Sequence, residues 1–390
     1  MIFREYLRNN VIIVCLYWLP IRILLKVARF LPLQKKIVFN SFHGKGFCDD
    51  PKYIFLELAK RNLRIKYIWL VNNLESEMPT QIRKVKLGSW LATYHYLTAK
   101  IWIDNAKSSP KPQKRKGQFY LQTWHGSFGI KQVEQAIENK LPPDYVTLAK
   151  ADSLKTDLMY SDHDFQINLF KNSFWYNGPV IKSDVPRLSI ALNPPRNLKE
   201  DIYHLYGLSD DKKIILYAPT FRSKGNLTPY KWNYNKILNA FNKKFNSHFV
   251  LFIRLHPNIA TSKLDVPFSS QIIDATQYPD MDELMAVSQI LITDFSGSMP
   301  DMAIAGKPTF LFAKDFDDYI TNDRGNCFPI DKIPFPISKT EDEFLDNIFS
   351  YSSQEQQKKV NQFFEIIGLE EKGLGGEKIA DIVIKKLEEQ

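Results

Sequence analysis

Short runs of β-branched and aromatic residues alternate with stretches of helical periodicity along most of this chain, and that alternation restricts its fold more than any other feature. In the first half, residues 37–40, 67–71, 101–104 and 119–123 are apolar runs of strand length, and residues 52–60 and 91–99 between them carry helical spacing. The second half repeats the pattern with runs at 214–217, 249–253, 290–293 and 309–312, and helical stretches at 234–242 and 282–288. Strands without a polar face are covered on both sides, as in a parallel sheet whose crossover helices pack above and below it. The expected class is therefore α/β, with two Rossmann-like, doubly wound domains. Asn193, Pro194, Pro195 and Arg196 interrupt regular structure and place the seam within 188–208. The division expected is a leader at 1–33, an N-terminal domain at 34–195 and a C-terminal domain at 196–390. Two such halves bind a ligand in the cleft between them, near the strand C-termini.

The 44% hydrophobic and 24% charged content is that of a folded chain. The net charge of +9 favours anionic partners. Its cations are dispersed, and no helix-turn-helix, zinc or RNA-binding signature is present, so nucleic acid is not an expected partner. Cys15, Cys48 and Cys327 lack both metal-ligand and disulfide-framework spacing. Nothing else in the sequence calls for a metal. At the N-terminus, the apolar run 11–19 is cut by Pro20 and Arg22, short of the roughly 20 residues that span a bilayer. With Arg4, Arg8, Lys26 and Arg29 around it, and Tyr17 and Trp18 within it, the leader reads as an amphipathic segment on a membrane surface. Residues 107–116, rich in Lys, Pro and Ser, read as an exposed basic loop.

Four clusters leave strands carrying groups suited to phosphate or proton chemistry. In Thr123-Trp124-His125-Gly126, the imidazole could act as a general base at neutral pH, although many histidines serve only as core hydrogen-bond partners. In Tyr217-Ala218-Pro219-Thr220-Phe221-Arg222, the guanidinium fork suits phosphate oxygens. In Arg254-Leu255-His256-Pro257, two cations alternate with a leucine and so share one side, as a diphosphate requires. In Thr293-Asp294-Phe295-Ser296-Gly297-Ser298, leading to Asp301, a small-residue turn opens a helix; this is an anion site or simply a helix cap.

Taken in order and spacing, these clusters, with residues 41–46 (SFHGKG), Gly306-Lys307-Pro308 and Asp323-Arg324-Gly325, resemble the CDP-glycerol:poly(glycerophosphate) glycerophosphotransferase family. The resemblance runs from about Lys36 to the C-terminus. It implies a GT-B-like fold on the cytoplasmic face of the cell membrane, bound there peripherally. The implied reaction is transfer of glycerol phosphate, or a related alditol phosphate, from a CDP-alditol to a lipid-linked teichoic-acid or capsule acceptor, with release of CMP and no certain cofactor. It further implies His125 as base, with His256 as a second catalytic histidine that also holds the donor pyrophosphate together with Arg222, Ser296 and Ser298. Arg254, Thr220 and Gly297 would lie around that donor, and Asp294 and Asp301 would shape its pocket, Asp301 alternatively contacting the ribose or glycerol hydroxyls. Trp124, Gly126, His43 and Lys45 would lie on the acceptor side.

Two departures stand out. The family's Gly-x-Pro-Arg-Asn-Asp segment appears as Asp184-Val185-Pro186-Arg187-Leu188-Ser189, and Gly297 stands where the family has a second serine. A GT-B glycosyltransferase moving a sugar from a nucleotide donor is the alternative enzyme, and a non-catalytic polyanion-binding scaffold is a third possibility.

Overall fold

The structure is a computed structural model that describes residues 26–389, apart from 108, 110, 127, 221, 223–226, 256–263, 265, 320–324 and 326. Residues 1–25 of the leader and His256 therefore lie outside the described residues, as do Asp323 and Arg324.

The first half is a five-stranded parallel sheet in the order β3-β2-β1-β4-β5. It comprises β1 (Gln34–Asn40), β2 (Lys66–Val71), β3 (Ile82–Lys86), β4 (Ala99–Asp104) and β5 (Phe119–Gln122). Successive side chains on β1 point to opposite faces, and both faces are buried. Ile37 and Phe39 pack with Trp69, Ile103, the Asp49–Lys60 helix and the Gly375–Glu388 helix, while Val38 packs with Leu70, Trp102 and the Trp90–Thr98 helix. Each fully buried large apolar side chain contributes about 1.5–3 kcal/mol, so the uninterrupted apolar runs are what fix these strands in the interior. A short parallel pair, β6 (Met159–Ser161) with β7 (Val180–Lys182), follows.

The second half is a six-stranded parallel sheet, β10-β9-β8-β11-β12-β13. Its strands are β8 (Lys213–Tyr217), β9 (Phe249–Ile253), β10 (Ile272–Asp274), β11 (Ile290–Thr293), β12 (Thr309–Phe312) and β13 (Ile337–Ser338). The Tyr234–Phe245 and Glu341–Ser350 helices cover one face; the Leu198–Leu205 and Met281–Val287 helices cover the other. In both sheets the strand order reverses beside the first strand, between β1 and β4 and between β8 and β11. In open α/β sheets, ligands bind outside the strand C-termini at such a reversal.

The halves are tied by buried charge. The Lys52 ammonium, on the first helix, lies 2.6 Å from both Asp280 and Glu283 of the second half, and the Tyr53 hydroxyl donates to Asp280 at 3.0 Å. Arg187 sits among Asp50 (3.5 Å), Asp301 (3.1 Å) and Asp282 (3.8 Å), and its backbone N–H donates to Asp50. Burial pushes the Asp50 carboxyl up to about 7 even though Arg187 opposes the shift. The departing segment 184–189 is thus a structural strap. Asp184 accepts from the backbone N–H of Lys372 and Leu374 at the start of the last helix, and Arg187 joins that strap to both halves.

The basic stretch 107–116 is only partly the exposed loop its composition suggests: Gln113 and Lys116 are exposed. The Lys111 side chain is buried between Asp104 (2.8 Å) and Asp152 (2.6 Å), and Lys107 is buried against the Phe174 carbonyl. Composition registers the cations but not the two interior carboxylates that pull Lys111 inward. At the other end of this half, Val27 and Phe30 are exposed at 56% and 88%, and the Leu31 carbonyl accepts from Arg115. Among the described residues, no helix is long and apolar enough to cross a membrane.

Candidate functional site

The described residues of the four strand-end clusters lie at or just beyond the C-terminal end of β5, β8, β9 or β11. β1 ends at Asn40 and turns sharply through Phe42, His43 and Gly44, all with positive φ (43°, 58° and 76°). At Gly44 an added Cβ would lie 3.0 Å from the backbone N of Asn72, so glycine is required for both conformation and space. β5 ends at Gln122, and Trp124 follows with φ 60°. An aromatic residue in that region costs about 1–3 kcal/mol unless its surroundings fix it. Here the Gln122 side chain accepts from the Trp124 N–H at 2.9 Å, and the Thr123 hydroxyl donates to the Trp124 carbonyl at 2.9 Å.

The half-buried His125 ring stacks on Trp124 (centroids 4.2 Å apart) and meets the edge of Phe42 (5.4 Å). Its Nδ1 lies 2.7 Å from the Asn105 carbonyl oxygen, which can only accept. Nδ1 therefore carries the proton, and in the neutral ring Nε2 keeps a lone pair, which is the tautomer a base requires. The Ser109 hydroxyl accepts from Asn40 Nδ2 at 3.1 Å and lies 2.8 Å from His43 Nδ1. Burial lowers the His43 pKa, with Asp104 opposing, so the neutral form is favoured. Lys45 is exposed beside this turn. Asn105, which sequence reasoning passed over, holds both loops: its backbone carbonyl accepts from His125, and its side-chain oxygen accepts from the Phe42 N–H at 2.8 Å.

Across the cleft, β8 leads to Thr220 and Arg222, and β11 leads to Asp294. The Thr220 N–H donates to Asp294 at 2.9 Å. Arg222 makes a two-pronged contact with Asp315 (2.7 and 2.9 Å), donates to Asp294 at 2.8 Å and to the Thr220 carbonyl at 2.6 Å, and lies over the Tyr319 ring at 4.6 Å. Burial alone would lower its pKa; the two carboxylates outweigh that and raise it. Asp315 belongs to a stretch that reads as a solvated loop in sequence, and the strand-end pattern gives no sign that it meets Arg222. Arg254 is half-buried and donates to the Tyr278 carbonyl. The Ser298 N–H and hydroxyl both donate to Ser296 Oγ, at 3.2 and 2.9 Å. Asp301, by contrast, turns to Arg187 in the strap between the halves.

The two sets of loops meet at Gly297. A Cβ there would fall 2.5 Å from the Phe128 carbonyl oxygen and 3.7 Å from the Gly126 Cα. The His125 loop therefore lies directly on the Ser296–Ser298 turn, and the absence of a side chain at Gly297 is what allows the approach. The loop that carries His125, with Nδ1 bonded to the Asn105 carbonyl, is thus packed against the serine-bearing turn of the opposite half.

The family model for CDP-Glycerol:Poly(glycerophosphate) glycerophosphotransferase matches residues 23–385. The chain belongs to this family. Among the family's curated members, it is 30% identical over 376 residues to the teichoic acid poly(glycerol phosphate) polymerase of Staphylococcus epidermidis, covering 91% of this chain and 51% of that protein. It thus spans about half the length of that relative. The corresponding polymerase of Bacillus spizizenii is 27% identical, with 92% of this chain and 94% of the relative covered. The teichoic acid glycerol-phosphate transferase of Staphylococcus aureus is also 27% identical, with 82% and 85% covered. A solved structure of the wall teichoic acid polymerase TagF, soaked with CDPG, superposes with a TM-score of 0.83 at 27% identity, covering 99% of this chain and 97% of that one.

Proposed function

We propose that this chain transfers glycerol phosphate from CDP-glycerol to a hydroxyl at the end of a lipid-linked teichoic-acid chain, releasing CMP. The single observation that carries the proposal is the seating of the His125 loop on the Ser296–Ser298 turn, which supports pairing His125 as base with that turn as the donor's anion site. Membership of the family and the likeness to TagF support the same reaction.

In this scheme His125 Nε2 removes the proton of the acceptor hydroxyl as its oxygen attacks the β-phosphorus of the donor. The bond from that phosphorus to the bridging oxygen breaks, and CMP leaves with the electron pair. The product is a phosphodiester. Because charge collects on phosphate oxygens, positioning and hydrogen-bond donors matter more than covalent catalysis. Ser296, Gly297 and Ser298 would supply such donors, together with Thr220, Arg254 and His256. Arg222 acts beside them: four of its five N–H groups are held by Asp315, Asp294 and Thr220, so it keeps the donor loop in shape and adds positive potential. The 34–195 half takes the acceptor and the 196–390 half takes the donor, in a GT-B-like arrangement.

The leader, 1–33, lies on the cytoplasmic face of the membrane in this proposal. The exposed Val27 and Phe30 beside Lys26 and Arg29 support that placement. Mass spectrometry of the product formed from CDP-glycerol and a glycerophosphate-primed lipid tests the reaction. Each addition is expected to bring one phosphorus with its glycerol, whereas a product extended without phosphorus would mark a sugar transferase.

A further inference from the structure

At the C-terminal ends of β1 and β4 two buried polar atoms have no hydrogen-bond partner among the described residues: the side-chain nitrogen of Asn105 and the side-chain oxygen of Asn40. Both residues are 0% exposed. Amide orientation is often ambiguous, but here the network decides it. The Asn105 oxygen accepts from the Phe42 N–H, so the unpartnered atom is a donor. The Asn40 nitrogen donates to Asp104 at 2.9 Å and to Ser109 at 3.1 Å, so its unpartnered atom is an acceptor. Folded proteins rarely bury such atoms unpaired, and an orphan donor beside a catalytic ring is the mark of a group that a ligand completes. Asn105 is bonded to His125 through its own carbonyl.

We propose that Asn105 binds the terminal alditol of the acceptor, its side-chain N–H donating to a hydroxyl oxygen while His125 Nε2 receives the proton of the attacking hydroxyl. This rests on the transfer reaction proposed above and names the group that orients its nucleophile. An alditol end carries neighbouring hydroxyls, each a donor and an acceptor, so one free donor on Asn105 and one free acceptor on Asn40 match it in kind. A phosphate, which at neutral pH only accepts, would leave the Asn40 oxygen unpaired. The pair therefore selects for polyol rather than phosphate, and the phosphates of the polymer fall beyond it.

The test is calorimetric titration of a short glycerophosphate oligomer ending in free glycerol, against the same oligomer with its terminal hydroxyls replaced by hydrogen. Asn105→Asp keeps an acceptor for the Phe42 N–H and removes the donor; Asn105→Ser is the second variant should the carboxylate prevent folding. The hydroxyl-bearing oligomer is expected to bind either variant about tenfold more weakly than wild type. The deoxy oligomer is expected to bind wild type and variant alike, and CDP-glycerol affinity to change less than about twofold. A merely structural role would weaken all three ligands together, and that result overturns the assignment. Equal affinity of wild type and variants for the hydroxyl-bearing oligomer also overturns it, as does a wild type that does not bind that oligomer. A wild type that shows the expected pattern but releases no CMP from CDP-glycerol leaves the Asn105 assignment standing and removes the proposed donor.

Discussion

Replacing Gly297 with serine, the residue that the family resemblance leads one to expect at this place, should damage this protein, although every local rule favours the change. Gly297 is the N-cap of the Ser298–Ile304 helix, with φ −64°, so no left-handed backbone demands glycine. Serine at an N-cap gains a few tenths of a kcal/mol over glycine. The loss of unfolded-state freedom adds about 0.4–1 kcal/mol of stability. Opposing both, the new Cβ would stand 2.5 Å from the Phe128 carbonyl oxygen, where side-chain carbons keep at least 3.0 Å, so the two loops must part by half an ångström or more. Overpacking against backbone costs about 1–3 kcal/mol, which leaves a net loss on the order of 1 kcal/mol. The displacement falls on the loop that carries His125, and a misplacement of an ångström in a catalytic group costs about a hundredfold in rate. Urea denaturation and acceptor-dependent CMP release are the assays, with an expected rate loss of about tenfold. Gly129→Ala is the control: it lies in the same loop, a Cβ there meets nothing within 4 Å, and stability should change by less than about 0.5 kcal/mol. A Gly297→Ser protein as stable and as fast as wild type would refute the reasoning.

Further outcomes follow from the buried charges. Lys111→Met leaves Asp104 and Asp152 facing each other without their cation, and should cost about 3–5 kcal/mol in urea denaturation; a loss below about 1 kcal/mol would mean that these carboxylates take up protons or water instead. His95 is buried with its Nδ1 against the Lys36 ammonium; burial first, then Lys36, holds its pKa down to about 4. Between about pH 6.5 and 4 the unfolded chain binds the proton and the folded one does not, so this residue's contribution to stability is present above the unfolded pKa and is lost as pH falls through that window. Denaturation curves should show wild type losing about 1–3 kcal/mol more than His95→Gln over that range; parallel curves would contradict the assignment.

The parts of this fold that could be read in the sequence are those whose residues are apolar on both faces. β8, β9, β11 and β12 differ from the expected runs by one residue at most, because runs such as Phe-Val-Leu-Phe-Ile have no solvent side to obscure them. β3 was not among the expected strands because Ile82-Arg83-Lys84-Val85-Lys86 lies at a sheet edge and exposes its charges. β10 and β13 are only three and two residues long, too short for a period to show. The strand-end motifs fall at the C-terminal edge of both sheets, where small and polar residues immediately follow buried runs. Their partners left no local mark. Asp315 reaches Arg222 from a stretch that composition reads as solvated, and Arg187 draws Asp301 away from the cleft through a contact 114 positions distant. Asn105 is a single amide at a strand end, and only its unmet hydrogen bond distinguishes it from any other turn residue.

The central claim, that His125 is the base of a transfer from CDP-glycerol, is tested most directly by measuring CMP release with a glycerophosphate-primed lipid acceptor, for wild type, His125→Ala and His256→Ala. Wild type is expected to release CMP only with acceptor, and His125→Ala to lose several orders of magnitude while keeping its CDP-glycerol affinity, as a base proposed to act on the acceptor would. His256→Ala is expected to lose release as well, through the donor side. Release by His125→Ala within about tenfold of wild type would contradict the account, because general-base catalysis by a positioned side chain contributes at least about a hundredfold.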